Sequence, residues 1–525
     1  MSPADRDRDP QARTPLMTAL QASAQKSHAS FYAPGHKRGR GIPAPLATLF
    51  GQKVFQADLP ELPELDNLFA PQGVIQEAQE LAAEAFGADR TWFLANGSTA
   101  GVIAAILATC NPGDKIILPR NIHQSAVSGL ILADAIPIFV QPAYDSELDL
   151  AHSITPAVVA EALTQHPDAK AVLMVYPTYY GVCGDVAAIA QLAHQHNIPL
   201  LVDEAHGAHF AFHPGLPTAA LAAGADLAVQ STHKVLSAMT QAAMLHTRGD
   251  RMNGDRVSKA LQLVQSTSPS YLLLASLDAA RHQIATEGTP LLAQTLQLAD
   301  EARSRLDRIP GLSTLKPEQA GRMAGFEALD RTRLTVTVTG LGLDGFTADQ
   351  ILNEQLGVTA ELPSLQHLTF IVSLGNTQAD VEALVRAFEV LAGMEGETAE
   401  TRRRREQLDP MVQRKQPSSF IPHPVSLSLP FPPLTPRAAF FADTETVSIA
   451  QAVHRISAEL VCPYPPGIPV LMPGEVVAEE SIAYLQTVLA IGGFISGCAD
   501  PSLETLKVVI ASPAKSKRQR AEGRR

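Results

Sequence analysis

Four residues in a row, Ser231-Thr232-His233-Lys234, follow the apolar run Asp226-Leu227-Ala228-Val229. A lysine at the end of such a run is a candidate imine-forming amine. It condenses with a carbonyl only when neutral, and a desolvated pocket favours the neutral form. The serine and threonine before it can donate hydrogen bonds to a phosphate. An ordinary surface lysine is the alternative at this position.

Other polar groups stand at comparable places. Thr91-Trp92-Phe93-Leu94-Ala95 has a strand pattern and runs into Asn96-Gly97-Ser98-Thr99-Ala100-Gly101, before an apolar helix expected from Val102 to Thr109. A strand, a Gly-Ser-Thr turn and a helix start make an anion site, because unpaired N–H groups and the helix dipole face the ligand. The competing reading is a plain N-cap by Ser98 or Thr99. Pro199 to Val202 is a strand ending at Asp203, which could pair with a protonated pyridine nitrogen or simply cap a helix. His123 opens a helix after the Lys115–Leu118 strand and could stack on a flat ring or serve as an ordinary helix-start histidine. His206 and His233 could move protons near neutral pH, or be satisfied loop histidines. Together these supply an imine amine, a pyridinium partner, a ring stacker and a phosphate cup, the set that pyridoxal 5'-phosphate (PLP) needs.

These residues require elements that bring strand ends together. Between residues 91 and 230 short apolar strands alternate with helices, with further strands at Ile136–Val140 and Ala171–Tyr176 and helices at Val158–Thr164 and Val186–His194. That order predicts an α/β fold with a mainly parallel sheet and helices on both faces. Ligands in such sheets sit beyond the C-terminal strand ends. Upstream, Thr14–Ser27 and Val74–Phe86 read as helices, the second ending at Gly87. Downstream, a helix at Leu291–Leu306, a strand at Arg333–Val338, a helix at Thr347–Leu356, a strand at Leu368–Ser373 and a helix at Gln378–Leu391 predict a small α/β domain. The expected domain order is 1–12 a disordered start, 13–290 a large domain, 291–394 the small domain, 395–436 a charged and proline-rich linker, 437–512 a C-terminal α+β domain, and 513–525 a basic tail.

Composition narrows the class. The chain has 525 residues, 46% of them hydrophobic, and a formal net charge of -12. A net negative chain disfavours nucleic acid as a partner. The four cysteines are widely spaced and form no zinc pattern, so no metal is expected. No apolar run reaches the ~20 residues of a membrane span. The start of the chain lacks the apolar core of a signal peptide, and the expected location is the cytoplasm.

Longer motifs resemble the Orn/Lys/Arg decarboxylases, PLP enzymes of fold type I. They are Ala33-Pro34-Gly35-His36-Lys37, Glu61-Leu62-Pro63-Glu64-Leu65-Asp66, Asn96 to Gly101, Ser231 to Lys234, Ser266-Thr267-Ser268-Pro269-Ser270-Tyr271, and Tyr464 to Pro469 with Met472-Pro473-Gly474-Glu475. The resemblance implies that Lys234 holds the cofactor, Asp203 meets its pyridine nitrogen and His123 stacks on it. It implies that Ser98, Thr99, Ser231 and His233 surround the phosphate, and that Ser266 or Thr267 reaches a neighbouring subunit's cofactor. Some members carry tryptophan where this chain has His206, which leaves substrate contacts there open. The N-terminal wing of the large members is expected to be missing, so a homodimer or dimer of dimers is expected rather than a decamer. The implied reaction is decarboxylation of arginine, lysine or ornithine to carbon dioxide and agmatine, cadaverine or putrescine. Another fold-type-I activity, such as an aminotransferase or aldolase, and a catalytically silent PLP-fold binding protein are the alternatives.

Overall fold

The computed structural model describes residues 9–394, 432–464 and 467–510. Its centre is a seven-stranded sheet. In chain order the strands are β1 (Arg90–Leu94), β2 (Lys115–Pro119), β3 (Ile136–Val140), β4 (Ala171–Val175), β5 (Leu200–Asp203), β6 (Leu227–Gln230) and β7 (Ala243–Thr247), and in space they run β1-β7-β6-β5-β4-β2-β3. Pairs β6–β5, β5–β4, β4–β2 and β2–β3 are parallel; β7 alone runs opposite, between β1 and β6. The C-terminal ends of β1, β2, β4, β5 and β6 therefore share one edge, where Ser98, His123, Tyr179, Asp203 and Lys234 follow in the chain.

Alternation along each strand explains why both faces are covered. Leu118, Leu173 and Leu201 join one buried cluster with helices α1 (Gly97–Thr109) and α2 (Gln124–Ala133). Ile117, Val172, Met174, Leu200 and Val202 point the other way, into a cluster with Val159 and Ile189. A sheet buried on both sides reads as near-continuous apolar runs, which is how these strands read.

Several expectations are corrected. Helix α1 starts at Gly97 and not at Val102, so Ser98 and Thr99 belong to its first turn. Gly101 is a packing residue: a Cβ there would sit 2.6 Å from Val229 Cγ1 and 2.8 Å from Leu94 Cδ1. Its absence lets α1 lie directly on β6. Residues 10–12 form a 3₁₀ turn, Pro10–Ala12, and the Arg281 guanidinium holds it by donating to the Gln11 carbonyl at 2.7 Å. The helix expected at Leu291 begins at Tyr271 and runs unbroken to Leu306, with Pro290 inside it. Pro436, the last residue of the expected linker, opens the helix Pro436–Phe440, which otherwise lies in the expected C-terminal domain. The rest of that linker from 395 to 431, residues 1–8 of the expected disordered start, and the tail from 511 lie outside the described residues.

The second half of the long helix packs, through Leu298, Ala302 and Leu306, on a four-stranded antiparallel sheet built from Arg333–Thr337, His367–Ile371 and two short edge strands. Residues 432–464 and 467–510 form a further unit around the strands Thr444–Ser448 and Thr505–Val509 and the helix Glu479–Ala490. Arg120, just past β2 and 1% exposed, clamps this unit to the large sheet. It donates to the carbonyls of Pro469 (2.7 Å) and Val470 (3.1 Å) and to Glu475 Oε2 (2.9 Å). Removing one partner of a buried pair leaves the other charge uncompensated. Arg120→Met is expected to lose roughly 3–5 kcal/mol of stability, read from a denaturant midpoint.

Candidate active site

Lys234 lies in a four-residue helical turn, Thr232–Val235, that begins one residue after β6. Its Nζ is 2.9 Å from His206 Nε2 and 5.7 Å from the centre of the Tyr179 ring. Burial lowers the lysine pKa to about 8, although the nearby Asp203 carboxylate opposes the shift. Asp203 ends β5 and is buried, accepting from the Ala205 N–H at 3.2 Å. Burial raises its pKa, against the pull of Lys234.

The anion side is built where α1 and the Lys234 turn meet. Ser231 Oγ donates to Ser98 Oγ at 2.7 Å. Thr232 is fully buried and its Oγ1 has no protein partner. His233 Nδ1 donates to the Ala242 carbonyl at 2.9 Å, and burial lowers its pKa. Thr99 is exposed on the first turn of α1.

His123 caps α2. Its Nδ1 accepts from the Ser125 N–H at 3.2 Å, so a neutral ring carries its proton on Nε2. Burial lowers its pKa to about 4, helped by Lys234. The C-terminal unit reaches this ring: Gln124 N–H donates to the Gly467 carbonyl at 3.2 Å, and a Cβ on Gly467 would lie 3.5 Å from His123 Nε2. Ser266 and Thr267 are exposed in the loop between the Gly254–Val264 and Tyr271–Leu306 helices. That loop is tied to the start of α1 by Ser266 N–H donating to Asn96 Oδ1 at 3.1 Å.

Lys234, His206, Asp203, Ser98 and Ser231 thus converge on one strand-end edge, with His123 and His233 beside them. Thr267 is exposed and is not brought into contact with them. Sequence reasoning missed Arg333 and Tyr179. Arg333 opens a strand of the small sheet, is 1% exposed, and donates through Nη2 to His206 Nδ1 at 2.5 Å. Tyr179 packs edge-on against His206, ring centres 4.6 Å apart. An arginine heading an apolar strand was a usable signal, since such a position faces inward. Tyr179 stood in the Pro177–Gly181 strand end and could have been grouped with the other strand-end residues.

The donor set fits a phosphate-bearing pyridine aldehyde. A partly buried amine of lowered pKa, a buried carboxylate, a capped neutral imidazole and a buried hydroxyl without a protein partner occupy one edge. Among the described residues no group of three or more His, Cys, Asp or Glu could hold a metal ion, and no helix is long and apolar enough to cross a membrane.

A doubly wound sheet with the lysine turn at its C-terminal edge is the architecture of fold-type-I PLP enzymes, and solved structures share it. The lysine decarboxylase LdcF of Francisella novicida superposes with a TM-score of 0.82 at 23% identity, over 95% of this chain and 81% of that one. Residues 14–380 match the major domain of the Orn/Lys/Arg decarboxylases, and residues 425–497 match their C-terminal domain. The arginine decarboxylase of Bacillus subtilis (strain 168) is 40% identical over 499 residues, 95% of this chain and 98% of that one. The arginine decarboxylase of Halalkalibacterium halodurans is 38% identical with the same coverage. The chain belongs to the Orn/Lys/Arg decarboxylase family and is an amino-acid decarboxylase acting on a basic amino acid.

Proposed function

We propose that this enzyme binds PLP through Lys234, decarboxylates arginine, and works in the cytoplasm as a homodimer or dimer of dimers whose sites are completed across the subunit boundary. The observation that carries the reading is the Lys234 amine, held 2.9 Å from His206 at the edge where Ser231 donates to Ser98. Arginine is favoured over lysine and ornithine by the 40% and 38% identical arginine decarboxylases; the lysine decarboxylase LdcA of Pseudomonas aeruginosa is 27% identical.

When bound, PLP supplies an electron-withdrawing ring conjugated to the substrate's α-carbon. The chain's own groups do the rest. The neutral Lys234 amine would provide the covalent attachment point for the cofactor. Asp203 would keep a proton on the ring nitrogen by charge pairing. His123 would lie against the ring, and Ser98, Thr99, Ser231, His233 and the Thr232 hydroxyl would hold the phosphate. Lys234 and His206, 2.9 Å apart, are the groups that would move a proton at the substrate's α-carbon.

Carbon dioxide release from arginine, lysine and ornithine, measured side by side with product identification, tests the reaction. Arginine is expected to give the highest kcat/KM and agmatine. Dependence on a keto-acid acceptor, with no carbon dioxide, would instead indicate an aminotransferase.

The shared site has its own test. The family resemblance of the Ser266–Tyr271 segment implies that Ser266 or Thr267 reaches a neighbouring subunit's cofactor, and both are exposed in a loop tied to the start of α1. Mixing inactive Lys234→Ala chains with chains inactivated at Ser266 and Thr267 is expected to restore one of the two sites in each mixed dimer, about a quarter of all sites after random pairing of equal amounts. No recovery despite demonstrated subunit exchange would rule out the shared site.

A further inference from the structure

The bonds around His206 constrain one another. A guanidinium has donors and no acceptor. Arg333 Nη2 lies 2.5 Å from His206 Nδ1, so Nδ1 must accept and cannot carry a proton. A neutral imidazole then carries its proton on Nε2. Nε2 in turn lies 2.9 Å from Lys234 Nζ. With Nε2–H as donor, Nζ must offer its lone pair. An ammonium at Lys234 would need a lone pair at Nε2, which would put the ring proton on Nδ1 against the guanidinium. Imidazolium is excluded by the same clash.

We infer that Arg333 is a positioning residue, which fixes the tautomer of His206 and thereby presents Lys234 as a neutral, nucleophilic amine. The inference rests on the assignment of Lys234 as the attaching amine and adds how that amine is prepared. Arg333 is itself held from behind. Its Nε is 3.8 Å from Asp330 Oδ2, and Asp330 Oδ1 accepts from Thr332 N–H at 3.0 Å, from Thr332 Oγ1 at 2.7 Å, and lies 3.3 Å from His209 Nε2. The line Asp330, Arg333, His206, Lys234 thus runs from the small sheet to the lysine turn. It couples the placement of the small domain to the reactivity of the amine.

Other charged and titratable groups act on Lys234 as well. Asp203 at the end of β5 and Glu361 beside the small sheet favour the ammonium, while Arg333 and burial oppose it. His123 at the start of α2, His233 on the same turn and Tyr179 after β4 complete its surroundings. A charge effect of Arg333 must therefore be separated from the tautomer effect, and two substitutions do so. Arg333→Gln keeps an N–H donor without charge, and Arg333→Met keeps neither.

The test uses the full chain freed of cofactor, with histidine labelled by nitrogen-15 and the His206 signals assigned by their loss in His206→Phe. In the unsubstituted protein His206 is expected as the Nε2–H tautomer throughout the neutral range. An Nδ1–H tautomer or an imidazolium there overturns the inference without any Arg333 variant having to fold. Competitive acylation of Lys234, followed by peptide mass spectrometry, reads the amine directly. Its labelling at neutral pH is expected to fall roughly tenfold in Arg333→Met, as for a pKa rise of about one unit, and clearly less in Arg333→Gln. Equal losses in the two variants, with the tautomer unchanged in both, would make Arg333 a charge effect only and overturn the inference. These readouts need no PLP, so they stand or fall separately from the assignment of the attaching lysine.

Discussion

Lys234→Ala is expected to lower kcat by roughly 10³-fold or more, since removing a covalent amine deletes both the attachment point and a proton carrier, worth about 4 kcal/mol at the barrier. The variant should still fold. Lys234 is only partly buried, and its hydrogen-bonding neighbour His206 is also held by Arg333. Thermal unfolding within a few degrees of the parent, beside lost turnover, is the expected pair of results. Turnover near the parent value would remove Lys234 from the chemistry.

Asp203→Asn is expected to keep cofactor binding and lower kcat by roughly 10²-fold or more, about 2.7 kcal/mol or above at tenfold per 1.36 kcal/mol. An amide at this position cannot balance a protonated ring nitrogen. Burial already raises the Asp203 pKa, which makes its ionised state dependent on a cationic partner, the role a protonated ring nitrogen would fill. A carboxylate whose folded pKa is raised is stabilised as the neutral acid, so any destabilising effect of its ionisation grows as pH rises through the folded value. A small rise in stability at pH above the folded value should therefore accompany the activity loss in the asparagine variant of the cofactor-free chain. A stopped-flow measurement of substrate binding alongside kcat separates the electron-withdrawal defect from weakened binding.

How far the sequence could be read depended on whether the controlling contact was local. The parallel strands were legible because each is buried on both faces, so β3 ends where its apolar run ends and β6 one residue beyond. Asp203, Ser231 and Lys234 were legible by the same token, as polar residues directly after such runs. Strand β7 was missed because His246 interrupts its apolar pattern. That histidine is fully buried, with Nδ1 2.7 Å from Thr91 Oγ1 and Nε2 3.1 Å from Gln230 Oε1. A polar residue satisfied by neighbouring strands looks like a strand terminator until its partners are known. Gly101 misled in another way. A glycine near hydroxyl residues suggested a turn, whereas it is small because Val229 and Leu94 press on it.

Arg333 was the largest loss. It comes from a different sheet from His206, and its role depends on domain packing that periodicity does not encode. The 36-residue helix was cut short at Leu291 because Pro290 normally ends a helix; here the chain keeps its helical path through it. Glu204 was passed over beside Asp203. It is fully buried between the Ala220 N–H and the Gln230 amide, each donating at 2.8 Å, and burial pushes its pKa up to about 7. Next to one another in sequence, the two carboxylates face different surroundings, and only Asp203 lies close enough to Lys234 to act on its charge.

The central claim is that Lys234 is the residue to which the cofactor is attached. Borohydride reduction of the PLP-loaded enzyme fixes that linkage, and peptide mapping by mass spectrometry then locates it. Loss of the visible absorption band and a pyridoxyl label on the peptide containing Lys234 are expected. A label on any other lysine, or a band that survives reduction, would contradict that claim.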